Sequence, residues 1–260
     1  LEAQQLEAIQ HAKDTDARPG ARAIRQPVNP GDNIISGADE LAYQKGQAVL
    51  AMTEAWVGAD AFRKGVLDHL AAHEWGNATA GDLFAALSKA SGKDVRAVLE
   101  GFIAQPGVPL VSVESVNGRS VTLAQKRFAN QGAAVAPGRW SVPVTLRYED
   151  AGGAHTHSVL VSAERATEAL PGSGAVAWVH PNADETGYYR WNVPPPMLKA
   201  LAETAASKLA LNERVGLVGN VSALLDAGVI GGEQYVGLLA TLARGPEPGV
   251  VGAEVEGGVA

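Results

Sequence analysis

Apolar residues keep helical spacing at both ends of the chain and alternate in its middle, which divides the sequence into three sections. In the first, Leu1 to Ala12 reads as the end of a helix, and Arg18 to Ile35, with Pro19, Gly20, Pro27, Pro30 and Gly31, as an irregular connector. Val49, Met52, Thr53 and Trp56 then predict a helix over Glu40 to Val57, and Phe62, Val66, Leu67, Leu70 and His73 another over Asp60 to Glu74. Gly76 and Asn77 stop it. Thr79 with Asp82 forms an N-terminal cap for a helix carrying Leu83, Phe84 and Leu87, and Val95, Val98, Leu99 and Phe102 mark the next.

At Gln105-Pro106-Gly107 the period changes to that of a strand. Val111 and Val113 alternate, Asn117-Gly118 is a hairpin turn, and Val121, Leu123 and Gln125 alternate again. Trp140, Val142, Val144, Leu146 and Tyr148 give the cleanest alternation, followed by a Gly152-Gly153 turn and a strand with Val159 and Val161. With Val176 to His180 and Tyr188 to Val193, about six strands result, as a small antiparallel β-sandwich over residues 112–194 requires. Beyond Pro194-Pro195-Pro196 the pattern is helical again. Leu198 and Leu201 open one helix, Asn212 caps a second carrying Leu217, Val221, Leu224 and Leu225, and Tyr235, Leu238, Leu239 and Leu242 line a third. After Gly245 the Gly-, Pro-, Val- and Glu-rich composition predicts fraying. The expectation is therefore an α+β multidomain chain: residues 1–111 helical, 112–194 the sandwich, and 195–260 the start of an α-helical array.

Composition narrows the chemistry. The 260 residues are 46% hydrophobic and 19% charged, enough to bury a real core. A net charge of −7 argues against nucleic acid as a partner, and no apolar run reaches the length of a membrane span. The absence of cysteine excludes disulfides, thiolate zinc ligands and a cysteine nucleophile. Nothing in the sequence assigns a compartment. The chain opens without Met inside helix-like sequence, as expected of an N-terminal truncation.

Few residues propose chemistry by themselves. His69 and His73 have the i, i+4 spacing of metal ligands beside Glu74, but no third ligand is evident, and they read as packing or capping residues. His155 and His157 share a strand face and read as exposed. Glu54, Asp60 and Asp82 read as ordinary helix-surface charges.

One constellation is more specific. Tyr43-Gln44-Lys45-Gly46, Trp56-Val57-Gly58, Phe62-Arg63-Lys64-Gly65, Gly76-Asn77-Ala78-Thr79 and Gln105-Pro106-Gly107-Val108-Pro109-Leu110 occur in this order, followed by Trp140 to Pro143 and Gly187-Tyr188-Tyr189-Arg190. In that order and spacing the chain resembles the gluzincin zinc aminopeptidases, the aminopeptidase N family, from about Arg22 to Arg244. The resemblance implies the end of a thermolysin-like catalytic domain, a β-sandwich and the first helices of a C-terminal helical domain.

It also implies a division of labour. The family takes its zinc ligands and its base from a His-Glu-x-x-His helix, and grips the substrate's amine with a Gly-x-Met-Glu-Asn loop. Of the six histidines only His73 precedes a glutamate, and Asn77 stands where the second histidine would be; neither Met52 nor Met197 precedes a glutamate. Both motifs are therefore expected upstream of Leu1, so that the intact enzyme binds zinc through ligands outside this chain, with the upstream part of the catalytic domain and a peptide substrate as partners. By the resemblance, Tyr43 donates its phenolic hydrogen to the oxyanion formed at the scissile carbonyl. The alternative for Tyr43 is an ordinary aromatic packed in the core. Lys45 reads as a solvated or capping cation and Gly46 as a close helix contact. This chain alone is expected to be inactive, and a noncatalytic binding or scaffolding module built from the same domains is the alternative function.

Overall fold

The computed structural model describes residues 3–26 and 40–244. Part of the expected connector, and the tail expected to fray, lie outside the described residues. The first section is helical as its spacing requires: α1 spans Ala3–Asp16, α2 Glu40–Val57, α3 Ala59–Ala72, α4 Ala80–Ser91 and α5 Val95–Ile103. The cap of α4 forms as a reciprocal box. Asp82 donates its amide to Thr79 Oγ1 at 3.3 Å and accepts the Thr79 amide on its carboxylate at 2.7 Å. Gly92, in the left-handed conformation at φ 69, ends the helix.

The middle section holds seven strands among the described residues: β1 Pro109–Asn117, β2 Ser120–Arg127, β3 Val142–Asp150, β4 Gly153–Val161, β5 Arg165–Ala169, β6 Trp178–His180 and β7 Arg190–Asn192. They form two small sheets, ordered β5-β2-β1-β7 and β4-β3-β6. Both expected hairpins are present, with Asn117 paired to Ser120 and Asp150 to Gly153. The expectation of a purely antiparallel sandwich needs correction, because β7 runs parallel to β1 along Leu110 to Ser112. β7 reaches β1 by a long crossover rather than a hairpin, and only such a connection delivers a parallel neighbour. β5 went unexpected since Arg165, Ala166, Thr167, Glu168 and Ala169 offer no large apolar side chain to alternate.

The two sheets are tied by a buried polar residue. Gln125 on β2 donates to the carbonyls of Trp140 at 2.7 Å and Val161 at 2.9 Å, and accepts the Trp140 amide at 2.9 Å. A buried amide so fully bonded escapes the cost of desolvation.

The last section contains α6 Pro195–Lys208, α7 Leu211–Asp226 and α8 Gly232–Leu242. Asn212 is not the cap of α7. It lies in the first turn and donates to the Asp184 carbonyl at 2.9 Å, while Glu213 accepts the Ala210 amide, also at 2.9 Å. A glutamate at the third helical position can reach back in this way, which frees Asn212 for a tertiary bond. Buried residues from α1, α2, α4 and α5, both sheets and the last three helices join one apolar cluster.

Candidate functional site

Helix α2 has two faces of opposite character, and the difference is set within one turn. Residues two apart on an α-helix point about 200° from each other, so Tyr43 and Lys45 cannot share a face. Lys45 is completely buried and Tyr43 is 71% exposed. The inward face continues through Ala48, Val49, Met52 and Thr53. Among the described residues, Tyr43 therefore stands outside the apolar cluster.

Lys45 is the main correction to the side-chain expectations, for it is neither solvated nor a cap. Its Nζ lies 2.8 Å from Asp16 Oδ2, with both side chains wholly inaccessible. It also donates to the Gln105 carbonyl at 3.3 Å and, more weakly, to that of Gly107 at 3.5 Å. Burial pulls the Lys45 ammonium below its ordinary pKa, and the Asp16 charge opposes that pull. Asp16 in turn accepts the Gly107 amide at 2.8 Å and the Tyr188 hydroxyl at 3.3 Å. Burial, and then the Asp16 charge, push the Tyr188 phenol well above its usual range. Sequence reasoning missed Asp16 and Tyr188 as supports for α2. A charged residue on an otherwise buried helical face was the signal that could have found them.

A cleft of about 170 Å³ between α1 and α2 is lined by His11, Thr15, Glu40 and Gln44. That is below the roughly 300–1,000 Å³ of a small-molecule pocket, and Tyr43 is not among its lining residues. Two larger cavities of about 550 Å³ are lined by Gln105, residues 125–127 and 135–139 and Glu164, and by residues of α6 and α8, without any residue of α2.

The other candidates separate from Tyr43. The rings of His69 and His73 lie with centroids 4.8 Å apart, tilted by 43° to each other. His73 Nδ1 is bonded to the His69 carbonyl at 2.9 Å, and the nearest carboxylate, that of Asp82, serves the α4 cap 3.8 Å from His73 Nε2. The Thr79 hydrogen bonds hold the Asp82 carboxyl below its usual pKa. These donors do not suit zinc, since His73 Nδ1 and the Asp82 carboxylate are committed to helix ends and no third ligand stands beside them. Among the described residues no three His, Asp or Glu side chains gather where a metal ion could sit. His155 and His157 are half-buried rather than exposed, bonded to Asp150 at 2.8 Å and to Glu168 at 3.4 Å. Glu54 and Asp60 lie on exposed helix surface. Gly46 makes no close contact, because an added Cβ there would meet nothing within 4 Å.

Comparison with known proteins matches the Peptidase family M1 domain to residues 1–102 and the ERAP1-like C-terminal domain to residues 178–253. The chain belongs to the M1 peptidase family. It is 34% identical over 226 residues to Aminopeptidase 2 of Candida albicans, covering 86% of this chain and 24% of that protein. It is 29% identical over 247 residues to Puromycin-sensitive aminopeptidase of Caenorhabditis elegans, covering 93% of this chain and 26% of the relative. With Tricorn protease-interacting factor F2 of Thermoplasma acidophilum the identity is 30% over 222 residues, 85% of this chain and 26% of the other. The chain spans about a quarter of the length of the curated relatives it matches. M1 enzymes are metallo-aminopeptidases and, in general, zinc-dependent. No helix among the described residues is long and apolar enough to cross a membrane.

Proposed function

We propose that this chain is part of a zinc-dependent aminopeptidase that removes N-terminal residues from peptides, and that its contribution to the chemistry is Tyr43. The observation that carries the reading is the outward placement of Tyr43, 71% exposed on the first turn of α2, inside the stretch that matches the M1 domain. When a nucleophile adds to a peptide carbonyl, the C=O π electrons move onto oxygen, and a hydrogen-bond donor aimed at that oxygen gains strength as the charge forms. A phenolic hydroxyl keeps its proton at neutral pH and can supply that bond. Zinc, the base and the amine-gripping loop belong to residues outside this chain. We assign residues 1–111 to the helical part of the catalytic domain, 112–194 to the sandwich and 195–260 to the opening of the C-terminal helical domain. The positions of the two family matches support the first and third assignments.

The test is Tyr43→Phe in the full-length enzyme, assayed on aminoacyl-anilide substrates. Loss of one oxyanion donor lowers kcat by roughly 100- to 1,000-fold. KM changes little, because the bond is made mainly in the transition state. A near-normal kcat would leave Tyr43 without a catalytic role and favour the noncatalytic module.

A further inference from the structure

We propose that Lys45 is a positioning residue for Tyr43: its buried pair with Asp16 fixes the rotation of α2 about its own axis and thereby the direction in which the Tyr43 hydroxyl points. The proposal rests on the catalytic reading of Tyr43. Its geometric basis is the half-turn relation between the two side chains. With Lys45 held inward, Tyr43 is held outward.

Three features make the hold directional rather than merely cohesive. First, the Lys45 ammonium is bonded from separate parts of the chain: Asp16, which ends α1, and the Gln105 and Gly107 carbonyls, which follow α5. Apolar packing tolerates small sliding, whereas a buried charge bonded on several sides has a single favourable seat. Second, Asp16 is itself fixed by the Gly107 amide and the Tyr188 hydroxyl. Third, Tyr188 meets α2 again two turns further on. Its ring lies under Lys45 Nζ at 5.7 Å from the centroid, and its amide contacts the Met52 sulfur at 3.4 Å. The stretch Gly187 to Arg190 is anchored in its turn. The Tyr189 hydroxyl donates to the Pro181 carbonyl at 2.8 Å, and Arg190 reaches back to Gln10 and Asp14 on α1. The orientation of Tyr43 is thereby referred to the stretch that enters β7, more than a hundred residues away in sequence.

The required precision is small in angle. A group about 6 Å from the helix axis moves about 1 Å when the helix turns by about 10°. A misplacement of about 1 Å costs on the order of 100-fold in rate. Lys45 therefore acts on turnover without touching substrate.

The experiment is a cycle in the full-length enzyme with four proteins: wild type, Asp16→Asn/Lys45→Met, Tyr43→Phe and the triple variant. The neutral pair keeps an acceptor for the Gly107 amide and leaves no uncompensated charge, so the protein folds. The pair alone is expected to lower kcat about 10- to 100-fold with KM within about 3-fold of wild type. The triple variant is expected to match Tyr43→Phe within about 3-fold, because a misaligned phenylalanine has no hydroxyl left to lose. Wild-type kcat in the pair, or a triple variant slower by the full product of the two effects, overturns the positioning role while leaving the Tyr43 assignment intact. Near-normal kcat in Tyr43→Phe alone overturns both. Tyr188→Phe, which removes only the hydroxyl bonded to Asp16, is the milder companion: it lowers kcat several-fold if the account holds, and a rate equal to wild type in it counts against the proposal.

Discussion

Replacing Lys45 by Met leaves a buried carboxylate facing a thioether, and the structure sets the size of the loss. Breaking a buried ion pair from one side costs about 3–5 kcal/mol, largely because the surviving charge has lost its counterion. Asp16 is not stripped bare, for the Gly107 amide and the Tyr188 hydroxyl still donate to it. Its remaining bonds place the expected loss near the lower end, at about 3 kcal/mol. Adding Asp16→Asn removes the stranded charge while an amide of the same shape keeps the Gly107 bond. The double variant should recover about 2 kcal/mol of the single variant's loss. Urea unfolding of the isolated chain, followed by far-UV circular dichroism, on wild type, Lys45→Met, Asp16→Asn and the double variant gives the four free energies and the coupling between the sites. A loss below about 1 kcal/mol in Lys45→Met, or simple additivity in the double variant, would refute the claim that this pair is a bonded unit.

Other consequences follow from single positions. At Gly65 on α3 an added Cβ would lie 2.9 Å from Leu87 Cα, so Gly65→Ala should cost about 1–2 kcal/mol despite alanine's better helix propensity, measured as a lower urea midpoint. Burial lowers Lys13 from 10.5 to about 8, so between pH ~8 and ~10.5 the unfolded chain holds a proton that the folded chain has released. Stability should rise with pH by up to about 1.4 kcal/mol per unit from Lys13 across that window, and the rise in Lys13→Met should be shallower by that contribution; equal slopes in the two proteins would contradict the assignment. β3 is bonded on both sides, to β4 and β6, whereas α3 buries only Gly65. Native-state hydrogen exchange should therefore be slower along residues 142–150 than along α3, and the opposite order would show that α3 is covered in solution.

The elements were legible where local chemistry dictates them. The Thr79 and Asp82 cap, the Asn117-Gly118 hairpin and the alternation along Trp140 to Tyr148 each rest on neighbouring residues, and each appears as expected. Features decided by distant partners were not legible. The parallel seat of β7 depends on where a long crossover returns, and the function of Lys45 depends on Asp16 and on residues 105–107, none of which adjoin it in sequence. Asn212 was a cap by type, but α7 begins at Leu211, one residue before it, with Ala210 at the cap position and Glu213 accepting the Ala210 amide. The candidate for the site came from a different kind of signal. An ordered set of short motifs holds Tyr43 and also Lys45, Gly107 and Tyr188, but nothing local to those motifs says that Lys45 and Tyr188 meet, and Asp16, which joins them, lies in none of them.

Binding of a tetrahedral transition-state mimic tests the central claim most directly. A phosphinic peptide presents the negative oxygen that the carbonyl acquires only on attack, while a substrate-like amide does not. The account predicts that Tyr43→Phe in the full-length enzyme weakens the phosphinic peptide by roughly 100- to 1,000-fold and leaves the affinity of the amide within about 3-fold of wild type. Equal affinity of wild type and Tyr43→Phe for the phosphinic peptide, measured by calorimetry, would contradict an oxyanion role for Tyr43.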